Sequence, residues 1–306
     1  MVGFQKRQEQ ITKSQKTIIF GSWLGWSLDG YDLVLMLFII SSISQLFFPS
    51  KDPTLSLLAI FATYTVTLVM RPVGGALFGS FGDKHGRKKA MIITISGFST
   101  ATFLTGLLPT WQTVGILAPI LLILLRFAQG LFAGGEWASG AVLTMETAPK
   151  SMRGFLSGFV QSGYTFGFLL ASIVFQIMLS AYPGNSFISE GGWRIIFYTG
   201  IIPGLIAIFV GFKMNESKLW LEKVEQKKKT DESLRKGKTS PLRDIVGGKE
   251  ARKRFLLALI VMSGLMYAYY TTMGFMPTFL QKYLNIDRHE PVRNYTNIAQ
   301  LIEVRV

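Results

Sequence analysis

The chain has 306 residues, 49% of them hydrophobic and 16% charged, with two histidines and no cysteine. Long uncharged runs place it in the membrane class rather than among soluble domains, and the missing cysteine excludes disulfide and thiol chemistry and argues against structural zinc. A net charge of +14 would suggest nucleic acid in a soluble protein; here the basic residues sit between apolar runs, so the positive-inside rule accounts for them and no nucleic-acid partner is expected.

The first 17 residues are polar and basic, and the apolar run after them is too long for a signal-peptide core, so it is read as a span that stays. Seven helices are expected, at about Ile18–Ile40, Leu55–Phe81, Ala90–Leu108, Val114–Leu143, Gly154–Leu179, Trp193–Phe212 and Phe255–Phe279. Each reaches the roughly 20 residues that cross a bilayer. Only helices satisfy every backbone polar group within such a span. The fold class is therefore an all-α integral membrane protein.

The first helix carries Asp29 and Asp32. Asp29 lies about eleven residues in, roughly 16 Å along the axis and near the midplane. The i, i+3 spacing puts the two carboxylates on one face. A charge at that depth costs roughly 2.5–3.5 kcal/mol on insertion scales. The pair therefore either faces a wet cavity, a cation or a proton, or forms buried hydrogen-bonded links between helices. In the second helix, Arg71-Pro72 predicts a kink, with Arg71 either adding charge to an inner cavity or meeting a carbonyl or lipid headgroup.

Closely spaced glycines follow, and the chain turns sharply through Gly79, Gly82, Asp83, Lys84, Gly86, Arg87, Lys88 and Lys89. So short a turn makes an antiparallel helix hairpin. On the fourth helix, Arg126, Gln129 and Glu136 fall within about 80° of one another at 100° per residue. They form a polar stripe that lines the interior or acts as interhelical glue. The fifth helix repeats small residues at Gly154, Gly158, Gly163, Gly167 and Ala171, spacing that allows close approach. There Gln161 and Tyr164 either hydrogen-bond a polar solute or simply pack. Glu146 and Arg153, across the turn between these two helices, are candidates for an ion pair that biases a rocking motion. No nucleotide-binding loop, nucleophile–base pattern or metal spacing is present, so no enzyme activity and no cofactor beyond a proton gradient is expected.

With the N-terminus inside, the inner segments hold Lys6, Arg7, Lys13 and Lys16, then Lys84 to Lys89, then Lys150 and Arg153, and the outer loops before the seventh helix only Lys51 and Arg194. The segment 213–254, with fourteen basic and seven acidic residues, reads as a cytoplasmic linker with short helices on anionic lipid. The expected organisation is a cytoplasmic tail at 1–17, a six-helix bundle at 18–212, a central loop at 213–254, and a seventh helix with a tail at 255–306.

The pattern from Gly79 to Lys89, Gly-x-x-x-Asp-Lys-x-Gly-Arg-Lys-Lys, resembles the signature of the major facilitator superfamily between its second and third helices. Leu28 to Asp32, Arg71 to Gly75, Gly134 to Trp137 and Glu146 to Gly154 resemble the metabolite:proton and sialate:proton symporter branches. Gly192-Trp193-Arg194 and Glu216-Ser217 are similar to the sugar-porter group. The resemblance covers about residues 17–280. It implies that Asp32 is the proton-coupling carboxylate, with Arg126 its partner and Asp29 beside it, and that Gln161 touches substrate. It further implies that Asp83 and Arg87 belong to an inside gate. Gln129, Glu136 and Tyr164 join Gln161 as the expected cavity, and Gly79, Lys84, Gly86, Lys88, Glu146 and Arg153 complete the expected gate.

Asn215-Glu216-Ser217-Lys218 departs from the usual Pro-Glu-Ser-Pro, and the fifth helix lacks the Gly-Pro pair of drug:proton antiporters, which speaks against efflux. The family has two six-helix halves. This sequence is therefore expected to be truncated, wanting a C-terminal half that carries the gate's partners, with an eighth helix beginning at 297–306. The implied function is proton-coupled uptake of a small polar metabolite, an organic acid or acidic sugar, across the cell membrane. A sugar or polyol carrier and a non-transporting half are the alternatives.

Overall fold

The computed structural model of the chain describes residues 11–183, 186–231 and 248–283. The chain falls into two units, Met1–Arg235 and Lys236–Val306. In the first, the helices are α1 (Lys13–Phe47), α2 (Pro53–His85), α3 (Arg87–Leu107), α4 (Trp111–Val114), α5 (Leu117–Thr147), α6 (Arg153–Ala181), α7 (Ser186–Ser189), α8 (Gly192–Thr199), α9 (Ile201–Lys213) and α10 (Lys218–Asp231). In the second, α11 (Lys249–Tyr283) is helical and contains the expected seventh helix. The expected start of an eighth helix lies outside the described residues.

Among the described residues, six segments are long and apolar enough to cross a membrane: α1, α2, α3, α5, α6 with its preceding turn, and α8 with α9. Helix ends run beyond the apolar runs because polar residues build the termini. A capping box between Thr12 and Gln15 starts α1 five residues before Ile18. The Asp52 side chain accepts from the Thr54 amide and starts α2, with Pro53 at a position that needs no donor. The expected single sixth helix is instead broken at Gly200 into α8 and α9. The break falls three residues before Pro203, which has no N–H to give to Thr199.

In lipid, apolar surface alone does not drive helices together, so close packing of small residues and polar links must do it. α1 is the most buried span. Its outer half packs Ile39, Ile43 and Phe47 against Trp193 and Phe197, while Ile18 and Leu28 meet Ile95, Phe98 and Ala207 in a second cluster. α1 runs antiparallel to α5, with Gln15 bonded to the Thr147 carbonyl and Ser22 to the Gly140 carbonyl.

α2 and α5 run parallel and cross almost backbone to backbone: a Cβ on Gly74 would stand 1.9 Å from the Leu131 carbonyl oxygen, and one on Gly134 1.9 Å from that of Arg71. α6 approaches α1 at Gly163 and Gly167, where a Cβ would meet the carbonyls of Trp23 and Ser27. Gly154 and Gly158, read as part of the same small-residue face, have nothing within 4 Å of a notional Cβ. The close approach is confined to the middle of α6.

Candidate functional site

α1 carries two acid clusters, one turn apart. Asp29 is buried and takes a two-pronged bond from Arg71 of α2, at 2.9 Å from Nη1 and 2.7 Å from Nη2. This geometry matches the guanidinium fork to the carboxylate. Arg71 thus meets a carboxylate, where the sequence suggested open cavity, a carbonyl or a headgroup. The crossing at Gly134, directly against the Arg71 backbone, brings α2 near enough for the bond.

Asp32 points to a different set of neighbours. Its carboxylate accepts from Thr102 Oγ1 of α3 at 2.9 Å and from Gln129 Nε2 of α5 at 2.6 Å. Arg126 stands 3.9 Å from the same carboxylate and donates to Gln129 Oε1 at 2.6 Å and Thr105 Oγ1 at 3.4 Å. Gln129 is therefore the hinge of the cluster, giving its N–H to the acid and its carbonyl to the base. Phe197 of α8 closes it from the side, its ring 5.6 Å from the guanidinium carbon. Asp32, Arg126 and Gln129 are all buried. The neighbouring Tyr31 hydroxyl pairs with Thr199 at the α8–α9 break.

Glu136 lies ten residues along α5 from Arg126, and so about 15 Å away along the axis. It belongs to the polar stripe but not to the Asp32 cluster. It is buried beside Gly25, where a Cβ would stand 2.2 Å from Glu136 Oε1. Glu136 opens on a cavity of about 210 Å³ between α1, α5 and α6, whose walls include Ser22, Trp26, Trp137, Thr144 and Gln161. Gln161 is exposed on this wall, while Tyr164 packs its ring 5.7 Å from that of Trp26. The structure thus brings Gln161 and Glu136 to one cavity and Asp32, Gln129 and Arg126 to another place.

The third cluster surrounds the α2–α3 turn. Gly86 adopts φ 109°, a conformation that favours glycine, and α3 starts at the next residue. Asp83 pairs with Arg87, and Arg87 reaches Glu146 at 3.7 Å. Glu146 also accepts from Ser217 Oγ at 2.7 Å. The Glu216 carboxylate accepts from the Lys88 amide at 3.1 Å, at the N-terminus of α3 where orphan amides await a partner. Trp220 of α10 donates to the Asp83 carbonyl at 3.1 Å, and Lys88 Nζ to that of Phe212 at 2.9 Å. Lys84 is exposed, and Gly79 has open space around it.

The expected Glu146–Arg153 ion pair does not form: among the described residues Glu146 is engaged by Arg87 and Ser217. The physical reason is the turn. α5 ends at Thr147, a single 3-10 turn covers Lys150–Met152, and Arg153 only then begins α6. Meanwhile Glu146 faces the α2–α3 turn.

Sequence reasoning missed Thr102 and Thr105, because threonines in apolar helices usually bond their own backbone. It also missed Trp26 and Trp137 as cavity walls. Glu216 and Ser217 were read as a sugar-porter-like motif departing from its usual pattern, without the contacts they make at the α2–α3 turn, 128 positions away along the chain for Lys88 and Glu216.

The same bundle occurs in solved transporters. A partially occluded inward-open structure of the xylose transporter XylE from E. coli aligns over 90% of this chain and 65% of its own, with TM-score 0.63 at 21% identity. The fold is that of the major facilitator superfamily, a class of transporters rather than enzymes. Residues 18–286 match the family model described as "Sugar (and other) transporter", and the chain belongs to that family. Among curated relatives, the proline/betaine transporter of Escherichia coli K12 is 32% identical over 278 residues, 89% of this chain and 54% of its own length. The shikimate transporter of the same organism is 40% identical over 198 residues, 64% of this chain and 45% of its own. The chain spans about half the length of the curated relatives it matches.

Proposed function

We propose that this chain forms the N-terminal bundle of a secondary transporter for proton-coupled uptake of a small polar metabolite bearing a carboxylate. Organic acids and acidic sugars are the class. The observation that carries the reading is the buried Asp32–Gln129–Arg126 cluster, in which one carboxylate is held by a guanidinium through an amide. A proton on Asp32 would cancel its charge and weaken its hold on Gln129. That would release Arg126 either to bind a substrate carboxylate or to let the bundle rock. Proline, betaine and shikimate, named in two relatives, all bear carboxylates. The excess of Lys and Arg in the turns and linker supports a cytoplasmic side for the N-terminus and the Asp83–Arg87–Glu146 cluster. There the cluster would act as the gate, whose latch against a second bundle opens and closes.

The test is uptake into proteoliposomes holding the full-length protein, with an inward proton gradient. The expected result is accumulation that a protonophore abolishes. Asp32→Asn should lose accumulation but keep exchange of substrate across the membrane. Accumulation untouched by the protonophore would refute proton coupling. Competition by hexoses but not by carboxylates would shift the substrate to the sugar class that the family description names.

A further inference from the structure

α3 brings two hydroxyls, Thr102 and Thr105, one turn apart against the buried acid and its base. They differ in freedom. Arg126 can only donate, so Thr105 Oγ1 accepts from it at 3.4 Å and gives its own proton to the Ala101 carbonyl at 2.9 Å. Thr102 has a choice. Its oxygen accepts from Gln129 Nε2 at 3.0 Å, and its single proton has two acceptors within reach, Asp32 Oδ1 at 2.9 Å and the Phe98 carbonyl at 3.1 Å. Gln129 does not share that choice. Its carbonyl is fixed towards Arg126, which leaves both amide protons for Asp32 Oδ2 and Thr102.

The two acceptors of Thr102 match the two charge states of Asp32. With the carboxylate ionised, Thr102 donates to Oδ1, and a hydrogen bond to a charged group is the stronger kind. With a proton on Oδ1, the acid becomes the donor. Rotation about the Thr102 Cβ–Oγ1 bond then turns the hydroxyl proton to the Phe98 carbonyl, a back-bond that threonine makes readily in helices. The hydroxyl now accepts from Asp32 and Gln129 and donates to Phe98, which is its full capacity. No covalent bond of Thr102 breaks, and the arriving proton stays on Asp32. Neither state leaves Thr102 or the Asp32 oxygen facing it unpaired, which is what a dry site needs to take up and release a proton. The Thr102 methyl group seats the rotor: a Cβ on Gly200, at the α8–α9 break, would stand 2.7 Å from it.

The other charged or titratable groups around Asp32 are Arg126 of α5, Asp29 of α1 with Arg71 of α2, Tyr31 of α1, Tyr64 of α2, and Tyr164 of α6 against Gly30. The Tyr31 hydroxyl is turned to Thr199. We propose that Thr102 is a positioning residue that sets the pH at which Asp32 takes up its proton, donating to the carboxylate and accepting from the acid. The proposal rests on the reading of Asp32 as the coupling acid and adds the partner that lets it change charge.

The test needs no substrate. Purified full-length protein in lipid is titrated by infrared difference spectroscopy, and the carboxylic acid band of Asp32 is identified by its loss in Asp32→Asn. Thr102→Val keeps the shape and removes the hydroxyl. The ionised acid then loses a charge-assisted bond and the protonated acid only a neutral one. The proton is held more tightly, and the midpoint should rise by about one pH unit. The band should also move to higher frequency, as its hydrogen-bond acceptor is gone. Thr102→Ser should restore both values. Ser99→Ala, buried one turn away on α3, should leave both unchanged. If Thr102→Val does not fold, Thr102→Ala makes the same test with the same expected shift. A midpoint that ignores loss of the hydroxyl, a shift that Thr102→Ser does not reverse, or one that Ser99→Ala reproduces overturns the proposal and leaves the coupling role of Asp32 standing. If no Asp32 band titrates in the parent protein, that coupling role falls first and the proposal with it.

Discussion

The crossing of α2 and α5 makes the sharpest demand on the sequence, and Gly134→Ala tests it. The added Cβ would lie 1.9 Å from the Arg71 carbonyl oxygen. An ordinary carbon–oxygen contact is about 3.3 Å, so the helices must part by roughly 1.4 Å. The obstacle is backbone and cannot rotate aside. Overpacking of this kind costs about 1–3 kcal/mol, and the upper end applies here. Alanine returns up to about 1 kcal/mol in helix propensity. The net loss is about 2 kcal/mol, or roughly 4–8 °C in melting temperature for a bundle of this size. Thermal unfolding in detergent, followed by size-exclusion chromatography, reads it. Gly158→Ala is the control: nothing lies within 4 Å of its Cβ, and it should melt no lower than the parent. If Gly134→Ala melts with Gly158→Ala, the crossing is looser than described and the account of how Arg71 reaches Asp29 fails with it.

Three further outcomes are expected. Arg71→Gln should destabilise by about 3–5 kcal/mol by stranding a buried carboxylate, and adding Asp29→Asn should recover part of that loss, a rescue that a melting-based double-mutant cycle detects. Gly86→Ala places a methyl 2.3 Å from the Glu216 carboxylate at a positive φ, so α10 should loosen and trypsin should cut within Lys218–Asp231 faster, while Gly79→Ala leaves the rate unchanged. The chain has no cysteine, so Lys51→Cys and Lys84→Cys are clean reporters of sidedness. Both lysines are exposed, and an impermeant maleimide applied to intact cells should label the first and not the second.

The spans were legible because a bilayer leaves few ways to satisfy an apolar backbone. The ends were not, since the capping box at Thr12 and the N-cap at Asp52 are polar and lie beyond any apolar window. The break at Gly200 was signalled by Pro203 but overridden by the apolar run around it. The glycines of α6 show the limit of pattern reading: spacing selects a face, yet only Gly163 and Gly167 of that face meet another helix.

Partners across helices were harder still. Arg71 and Asp29 are 42 positions apart, and nothing in either segment names the other. Asp29 and Asp32 share a face by spacing, but three residues turn a helix by 300°. The remaining 60°, with a rise of about 4.5 Å, is enough to send one to α2 and the other to α3 and α5.

That divergence bears on energetics. The Asp32 cluster is balanced by Arg126, so a proton there adds a charge to be carried. The Asp29–Arg71 pair is balanced in the same way, so neither pair by itself fixes the charge of the substrate. A zwitterion moving with one proton carries a net charge of +1. Its uptake would be driven by membrane potential, at about 2.3 kcal/mol per 100 mV, as well as by the pH gradient. An anion moving with one proton is neutral and responds to the gradient alone. Proteoliposomes at equal pH on both sides, with substrate added outside, therefore separate the two. An inward current is expected for a zwitterion such as glycine betaine, and none for an organic acid. Its absence with glycine betaine, with uptake of the same compound intact, would mean either that no proton accompanies the zwitterion or that an anion leaves with it, and the coupling role of Asp32 would have to be abandoned in the first case.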